Sequence, residues 1–74
     1  MEAIVWSKDG CPNCVVAKRL LQAKGILFEE RNISRNWRVE SLQAMIPGVR
    51  SLPQVFIDDE LVGGLENLKK YLKV

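Results

Sequence analysis

Cys11 and Cys14, separated by Pro12 and Asn13, are the only cysteines in the chain. They follow an apolar run at residues 3–6 and precede a segment with helical periodicity. A thiol in the first turn of a helix lies near the positive end of the helix dipole and near unpaired backbone N–H groups, which stabilise a thiolate. A second thiol three residues on is about one turn away, close enough for a reversible disulfide. This spacing predicts thiol–disulfide chemistry, with Cys11 as nucleophile and Cys14 as resolving thiol.

Two other uses of a Cys-x-x-Cys pair fit this chain less well. Zinc takes four ligands, and a chain with no His and no further Cys cannot form a tetrahedral Cys/His site by itself. A structural disulfide that closes so short a loop restricts the unfolded chain very little. We therefore favour a redox pair at the start of a helix, and we predict no metal site.

Composition indicates one small globular domain spanning residues 1–74. The 74 residues are 47% hydrophobic with a net charge of +2, near the lower size limit for a self-sufficient core. The mild charge does not favour nucleic-acid binding, and no apolar run is long enough to span a membrane. The N-terminal residues lack the basic segment of a signal peptide. We expect a cytoplasmic monomer, in a reducing setting where a Cys-x-x-Cys pair is more often catalytic than structural.

Hydrophobic periodicity predicts the element order β-α-β-α-β-β-α. The predicted strands are 2–6, 26–33, 54–57 and 60–62, and the predicted helices are 13–24, about 36–46 and a last one that begins after Gly63-Gly64. Gly25 is a suitable stop for the first helix, and Asn36 is a suitable cap for the second. The first strand–helix–strand unit should be parallel and right-handed. The fold class is therefore α/β, with a four-stranded mixed sheet flanked by three helices.

In this order of elements the chain resembles a glutaredoxin, the small glutathione-linked branch of the thioredoxin superfamily, over essentially its whole length. Four landmarks carry the resemblance: Lys8 before the thiols, the dithiol frame Cys11-Pro12-Asn13-Cys14, residues 51–57 in place of the family's Thr-Val-Pro and following strand, and residues 63–68 in place of its double-glycine motif. The resemblance implies a thioredoxin-like fold and a thiol–disulfide oxidoreductase.

The resemblance also implies a glutathione site beside Cys11. Its expected residues are Lys8, Arg50, Leu52, Pro53, Gly64, Leu65, Glu66 and Asn67. Pro53 is expected to be cis, which turns the backbone of Leu52 toward the thiols for strand-like pairing with a peptide-like ligand. The two glycines are expected to free the first amides of the last helix for the γ-glutamyl carboxylate.

Two cationic side chains complete that expected site. Lys8 is expected to bind the glycine carboxylate of glutathione and to stabilise the Cys11 thiolate, and Arg50 adds positive potential. Trp6 and Trp37 are expected to pack rather than to stack on a ligand.

Three positions depart from the family's pattern. Asn13 replaces an aromatic residue that often lies between the active-site proline and the second cysteine. Asn67 replaces an Asp, so it supplies no charge for the γ-glutamyl ammonium. Glu40 occupies a place where the family often has Gln or Arg, and it would repel the glycine carboxylate unless Arg38 compensates.

The resulting prediction is a dithiol glutaredoxin that uses glutathione as co-substrate, needs no bound cofactor and reduces glutathione mixed disulfides and protein disulfides. Ribonucleotide reductase is a protein partner typical of the family. The first alternative is a redoxin reduced by a thioredoxin reductase. A second is a non-catalytic dimer sharing an iron–sulfur cluster through Cys11 and glutathione, which Pro12 and Cys14 disfavour.

Overall fold

The structure is a computed structural model that describes residues 1–74. Its elements are β1 (Ala3–Ser7), α1 (Pro12–Ala23), β2 (Phe28–Asn32), α2 (Val39–Met45), β3 (Gln54–Ile57), β4 (Glu60–Gly63) and α3 (Leu65–Leu72). This order confirms the predicted β-α-β-α-β-β-α arrangement. The longest helix, α1, has 12 residues, and no helix is both long and apolar enough to cross a membrane.

The four strands form one mixed sheet in the order β2-β1-β3-β4. β1 pairs with β2 in parallel and with β3 antiparallel, and β3 pairs antiparallel with β4. At the centre, Val5 of β1 lies opposite Val55 of β3, and both side chains are completely buried. The predicted four-stranded mixed sheet with three helices is therefore confirmed.

Alternation along β1 divides the core into two layers, because successive strand residues point to opposite faces of a sheet. Ala3 and Val5 face α1 and α3, where they join a buried cluster that also contains Ala17, Leu21, Val55, Ile57, Leu65 and Leu68. Trp6 points to the other face and packs with Leu42 and Phe56 under α2. The packing role expected for Trp6 is confirmed.

Helix α2 is capped by Arg38 and begins at Val39, two residues later than a helix capped by Asn36 would begin. The cause is Trp37. Its amide donates to the Asn32 carbonyl at 3.2 Å, and its ring meets Trp6 edge-on at a centroid distance of 5.4 Å. Packing the Trp37 ring against Trp6 holds residues 33–38 in an irregular connection, so the helix starts only after it.

Strand β2 begins at Phe28, two residues later than predicted. Gly25 has a φ of 70°, and the amide of Ile26 donates to the Leu21 carbonyl at 2.9 Å. These features complete the C-terminal turn of α1, so Ile26 belongs to the helix cap and not to the strand.

Leu68→Ala should lower the free energy of unfolding by about 2–5 kcal/mol, because Leu68 of α3 is completely buried and truncation leaves a cavity. Leu27→Ala is the matched control: Leu27 is 85% exposed, and its loss should change stability by no more than about 0.5 kcal/mol. Equilibrium urea denaturation measures both. Similar losses in the two variants would contradict the assigned core.

Candidate redox site

Cys11 occupies the residue that caps the N-terminus of α1. Its backbone is extended, with φ −111° and ψ 98°, and its Sγ accepts a hydrogen bond from the Cys14 amide at 3.1 Å. Pro12 takes the first helical position, where a missing N–H costs nothing. The sulfur thus occupies the place that a Ser or Asp oxygen usually takes at a helix start, and the same hydrogen bond would favour a thiolate there.

The two predicted redox residues are joined by a disulfide, with their Cα atoms 5.3 Å apart. Cys11 is 8% exposed and Cys14 is 2% exposed, so Cys11 is the less buried residue of the pair. Cys14 lies within α1 and is one of its buried residues. This difference agrees with the predicted roles of Cys11 as the attacking thiol and Cys14 as the internal resolving thiol.

The Leu52–Pro53 peptide bond is cis, as the resemblance implies. It lies immediately before β3, and Pro53 is buried. The Leu52 carbonyl oxygen is 3.8 Å from the Cys11 Sγ. The backbone of Leu52 is therefore a direct neighbour of the nucleophile.

Six of the eight expected glutathione residues line one cleft of ≈ 260 Å³. The cleft is formed by Asn13, Ser51, Leu52, Pro53, Gly64, Leu65, Glu66 and Asn67. The other two expected residues, Lys8 and Arg50, line a neighbouring cleft of ≈ 190 Å³ that also includes Ser51 and Leu52. The two clefts thus meet at Ser51 and Leu52, beside the disulfide.

Helix α2 contributes Val39 and Leu42 to the cleft of Lys8 and Arg50. Glu40 is exposed in the first turn of α2 and is not among the residues that line this cleft. Lys8 and Arg50 are exposed, and neither belongs to an ion pair. The charges that face this cleft are therefore positive.

The two glycines before α3 have different reasons to be glycine. Gly63 has a φ of 115°, and a Cβ there would lie 2.5 Å from the Asn67 Nδ2, so the fold itself excludes a side chain. Gly64 has an ordinary φ of −82°, and the only atom near a Cβ would be the Pro53 carbonyl oxygen at 3.7 Å. Both Gly64 and Pro53 line the ≈ 260 Å³ cleft, so this position is open toward the cleft.

Helix α3 starts without a side-chain cap, because its N-cap residue is Gly64. The first amides of a helix have no partner within the helix, and they carry the positive end of its dipole. Leu65, Glu66 and Asn67 of this first turn line the cleft. This end of the cleft can therefore accept a carboxylate.

A polar cluster that sequence reasoning missed lies on the other side of the disulfide. A cleft of ≈ 490 Å³ is lined by both cysteines together with Lys18 and Glu30. One oxygen of Glu30 accepts from the buried Ser7 hydroxyl at 2.6 Å and from Lys18 Nζ at 2.8 Å. Lys18 and Ser7 hold the pKa of the Glu30 carboxyl below its usual range. In the sequence, Glu30 is one of two adjacent glutamates, and nothing local pairs it with Ser7 or Lys18.

Glu30→Gln should lower stability near neutral pH and flatten its fall on acidification. A carboxyl with a depressed folded pKa contributes stability above its unfolded pKa, near 4.5, and loses that stability as the pH falls through the folded value. Thermal denaturation between about pH 7 and pH 3 tests this. Glu29→Gln, on the same strand, is the control for charge and should keep the acid dependence. An unchanged acid profile in Glu30→Gln would contradict the assignment.

Comparison with known proteins agrees with this geometry. The family model described as Glutaredoxin matches residues 3–62. A probable glutaredoxin of Synechocystis is 42% identical over 69 residues, which cover 92% of this chain and 76% of that protein. A hybrid peroxiredoxin of Haemophilus influenzae is 40% identical over 67 residues, 90% of this chain, but the chain spans only 27% of that protein's length.

Solved structures show the same relationship. Glutaredoxin 1 from Francisella tularensis, complexed with cacodylate, has a TM-score of 0.81 and 29% identity, with 97% of this chain and 92% of that chain covered. The glutaredoxin-like NrdH-redoxin from Escherichia coli has a TM-score of 0.76 and 27% identity, with coverages of 95% and 93%. With the family match and the Cys11–Cys14 disulfide at the start of α1, the chain belongs to the glutaredoxin family of thiol–disulfide oxidoreductases.

Proposed function

We propose that this glutaredoxin uses glutathione as co-substrate, with no bound cofactor, to reduce glutathione mixed disulfides and protein disulfides. The observation that carries the proposal is the cleft beside Cys11, where the uncapped start of α3 and the open position at Gly64 face the Leu52–Pro53 backbone. A tripeptide with a free carboxylate at each end suits this arrangement. The proposed setting is the cytoplasm, where glutathione keeps thiols reduced.

In the proposed complex the tripeptide spans both clefts that meet at Ser51 and Leu52. Its γ-glutamyl carboxylate binds the first amides of α3, and its cysteine lies along Leu52, next to the Cys11 sulfur. Its glycine carboxylate lies toward Lys8 and Arg50, which face no competing ion pair. The ligand's two negative ends thus meet the two sources of positive potential in the site.

With a glutathione mixed disulfide, one thiol is sufficient. The Cys11 thiolate attacks the glutathione sulfur, a Cys11–glutathione disulfide forms, and the client sulfur leaves as a thiolate that takes a proton from water. A second glutathione thiolate then attacks the glutathione sulfur of this adduct. Glutathione disulfide leaves, and Cys11 returns as a thiolate. The rate of each step depends on the thiolate fraction of the attacking group and on the acidity of the leaving thiol.

With a protein disulfide, the second thiol is needed. Cys11 attacks one client sulfur, and the other client sulfur leaves as a thiolate. Cys14 loses its proton and attacks the Cys11 sulfur, which releases the reduced client and forms the disulfide present in the structure. Two glutathione molecules then reduce this disulfide and become glutathione disulfide.

A second candidate function is that of a redoxin reduced by a thioredoxin reductase. Asn67 favours it, because its amide packs against Gly63 and supplies no carboxylate for the γ-glutamyl ammonium. The similarity to NrdH-redoxin, whose activity profile is described as thioredoxin-like, also supports it. The protein client that we propose under either function is ribonucleotide reductase, and a monomer suffices for both.

Turnover of a glutathione mixed disulfide, driven by glutathione and glutathione reductase, decides between these functions. The proposal requires turnover in this assay that exceeds turnover driven by thioredoxin reductase. Cys11→Ser should be inactive with both reductants. Cys14→Ser should keep its activity on the mixed disulfide but lose reduction of a protein disulfide, because the resolving thiol is absent. Equal loss of mixed-disulfide activity in the two variants would overturn the thiol roles, and turnover with thioredoxin reductase alone would overturn glutathione dependence.

Gly64→Ala should raise the apparent KM for glutathione by roughly tenfold while the protein stays folded, because the added methyl enters the cleft and contacts no protein atom closer than 3.7 Å. Asn67→Asp should lower that KM by roughly fivefold, since it restores a charged partner for the ammonium. Gly63→Ala is the contrasting variant: it should destabilise the fold because of its positive φ. If Gly64→Ala left glutathione kinetics unchanged, the ligand would not lie against α3.

A further inference from the structure

Asp9 connects the active-site loop to the segment after β2. Its carboxylate oxygen accepts from Arg35 Nε at 2.9 Å and from Asn32 Nδ2 at 3.0 Å. Its own amide donates to the Ser34 hydroxyl at 3.1 Å. Asp9 is two residues before Cys11 in the chain, and Asp9, Arg35 and Cys11 line the same ≈ 490 Å³ cleft.

Several fixed charges surround the nucleophile. Five charged residues line the ≈ 490 Å³ cleft, and they come from four parts of the chain. Lys8 and Asp9 lie in the loop after β1, Lys18 in α1, Glu30 in β2 and Arg35 in the segment after β2. On the other side, Arg50 precedes β3 and Glu66 lies in the first turn of α3. Glu30 is paired with Lys18 and Glu66 with Lys69. Without Arg35, Asp9 would therefore be the one anion of this cleft that no ion pair holds.

We infer that Arg35 is a positioning residue that neutralises Asp9 beside Cys11, so that Lys8 and the start of α1 determine how readily the Cys11 thiolate forms. An anion beside the nucleophile would by itself oppose formation of the Cys11 thiolate. The structure instead gives that anion a cationic partner from a different segment, 26 residues further along the chain.

Stability does not explain this ion pair. The side chains of Arg35 and Asp9 are 71% and 52% exposed, and ion pairs so exposed contribute little to folding. Arg35 and Asn32 hold the pKa of the Asp9 carboxyl below its usual range, so Asp9 stays negative throughout the range in which a thiol titrates. The main effect of the ion pair is therefore electrostatic: Arg35 offsets the negative potential that Asp9 would place at the neighbouring Cys11 sulfur.

The test measures the rate of iodoacetamide alkylation against pH in Cys14→Ser protein, where Cys11 is the only thiol. Arg35→Gln should move the pH midpoint upward by about 0.3–0.5 unit at low salt, and Asp9→Asn should move it downward by a similar amount. The double variant should return close to the parent value. Arg19→Gln, which removes an equal charge from the exposed surface of α1, is the matched control and should not move the midpoint.

The opposite signs distinguish this inference from a purely structural role. If the hydrogen bonds only held the loop in place, Arg35→Gln and Asp9→Asn would shift the midpoint in the same direction or leave it unchanged. Either result, in variants whose thermal unfolding matches the parent, overturns the inference. Shifts of opposite sign that cancel in the double variant, and that shrink as salt is added, support it. This test uses no glutathione, so its outcome is independent of the proposed co-substrate.

Discussion

The hydrogen bond from the Cys14 amide to the Cys11 sulfur is the contact on which the site depends. Helix α1 must begin after β1, and its first amides need an acceptor that the helix itself cannot provide. A cysteine sulfur supplies that acceptor, so the residue that starts the helix is also the residue that reacts. Ala17 and Leu21 are completely buried against the sheet and keep this helix end in place. The reactivity of Cys11 is therefore a consequence of how α1 starts.

Sheet topology explains why three distant segments meet at this sulfur. β1 and β3 are antiparallel, so Trp6, next to the last residue of β1, lies opposite Gln54 at the beginning of β3. The Leu52–Pro53 backbone, just before β3, is thereby brought beside the loop that follows β1. β4 runs antiparallel to β3, and its last residue, Gly63, pairs with Val55. Helix α3 therefore begins at the same end of the strands as the loop after β1. Antiparallel pairing thus places the loop after β1, the Leu52–Pro53 backbone and the start of α3 around one disulfide.

Local sequence signals predicted the order of the elements and the redox pair. The contacts that the sequence did not predict depend on pairing between segments far apart in the chain. The thiol spacing, the proline at the start of α1 and the glycine stops each act within a few residues, so element order and redox pair were predicted correctly. The Ser7–Glu30–Lys18 cluster depends on parallel pairing between β1 and β2, and the Asp9–Arg35 pair depends on an irregular connection. The late start of α2 has the same origin, since packing of Trp37 against Trp6 outweighs the capping preference of Asn36.

The double-glycine motif shows how far a motif alone can support a functional argument. Gly63 is required by its own backbone conformation and by its contact with Asn67, whatever ligand the protein binds. Gly64 has no such steric requirement; it is the N-cap of α3, a position that suits glycine, and it is also open toward the cleft. The same reasoning applies to charge: a protein disulfide needs neither the α3 amides nor the unpaired Lys8 and Arg50, whereas glutathione has a carboxylate for each. In a redoxin reduced by a thioredoxin reductase these features would have no carboxylate to bind, and for this reason we propose the glutathione-dependent function.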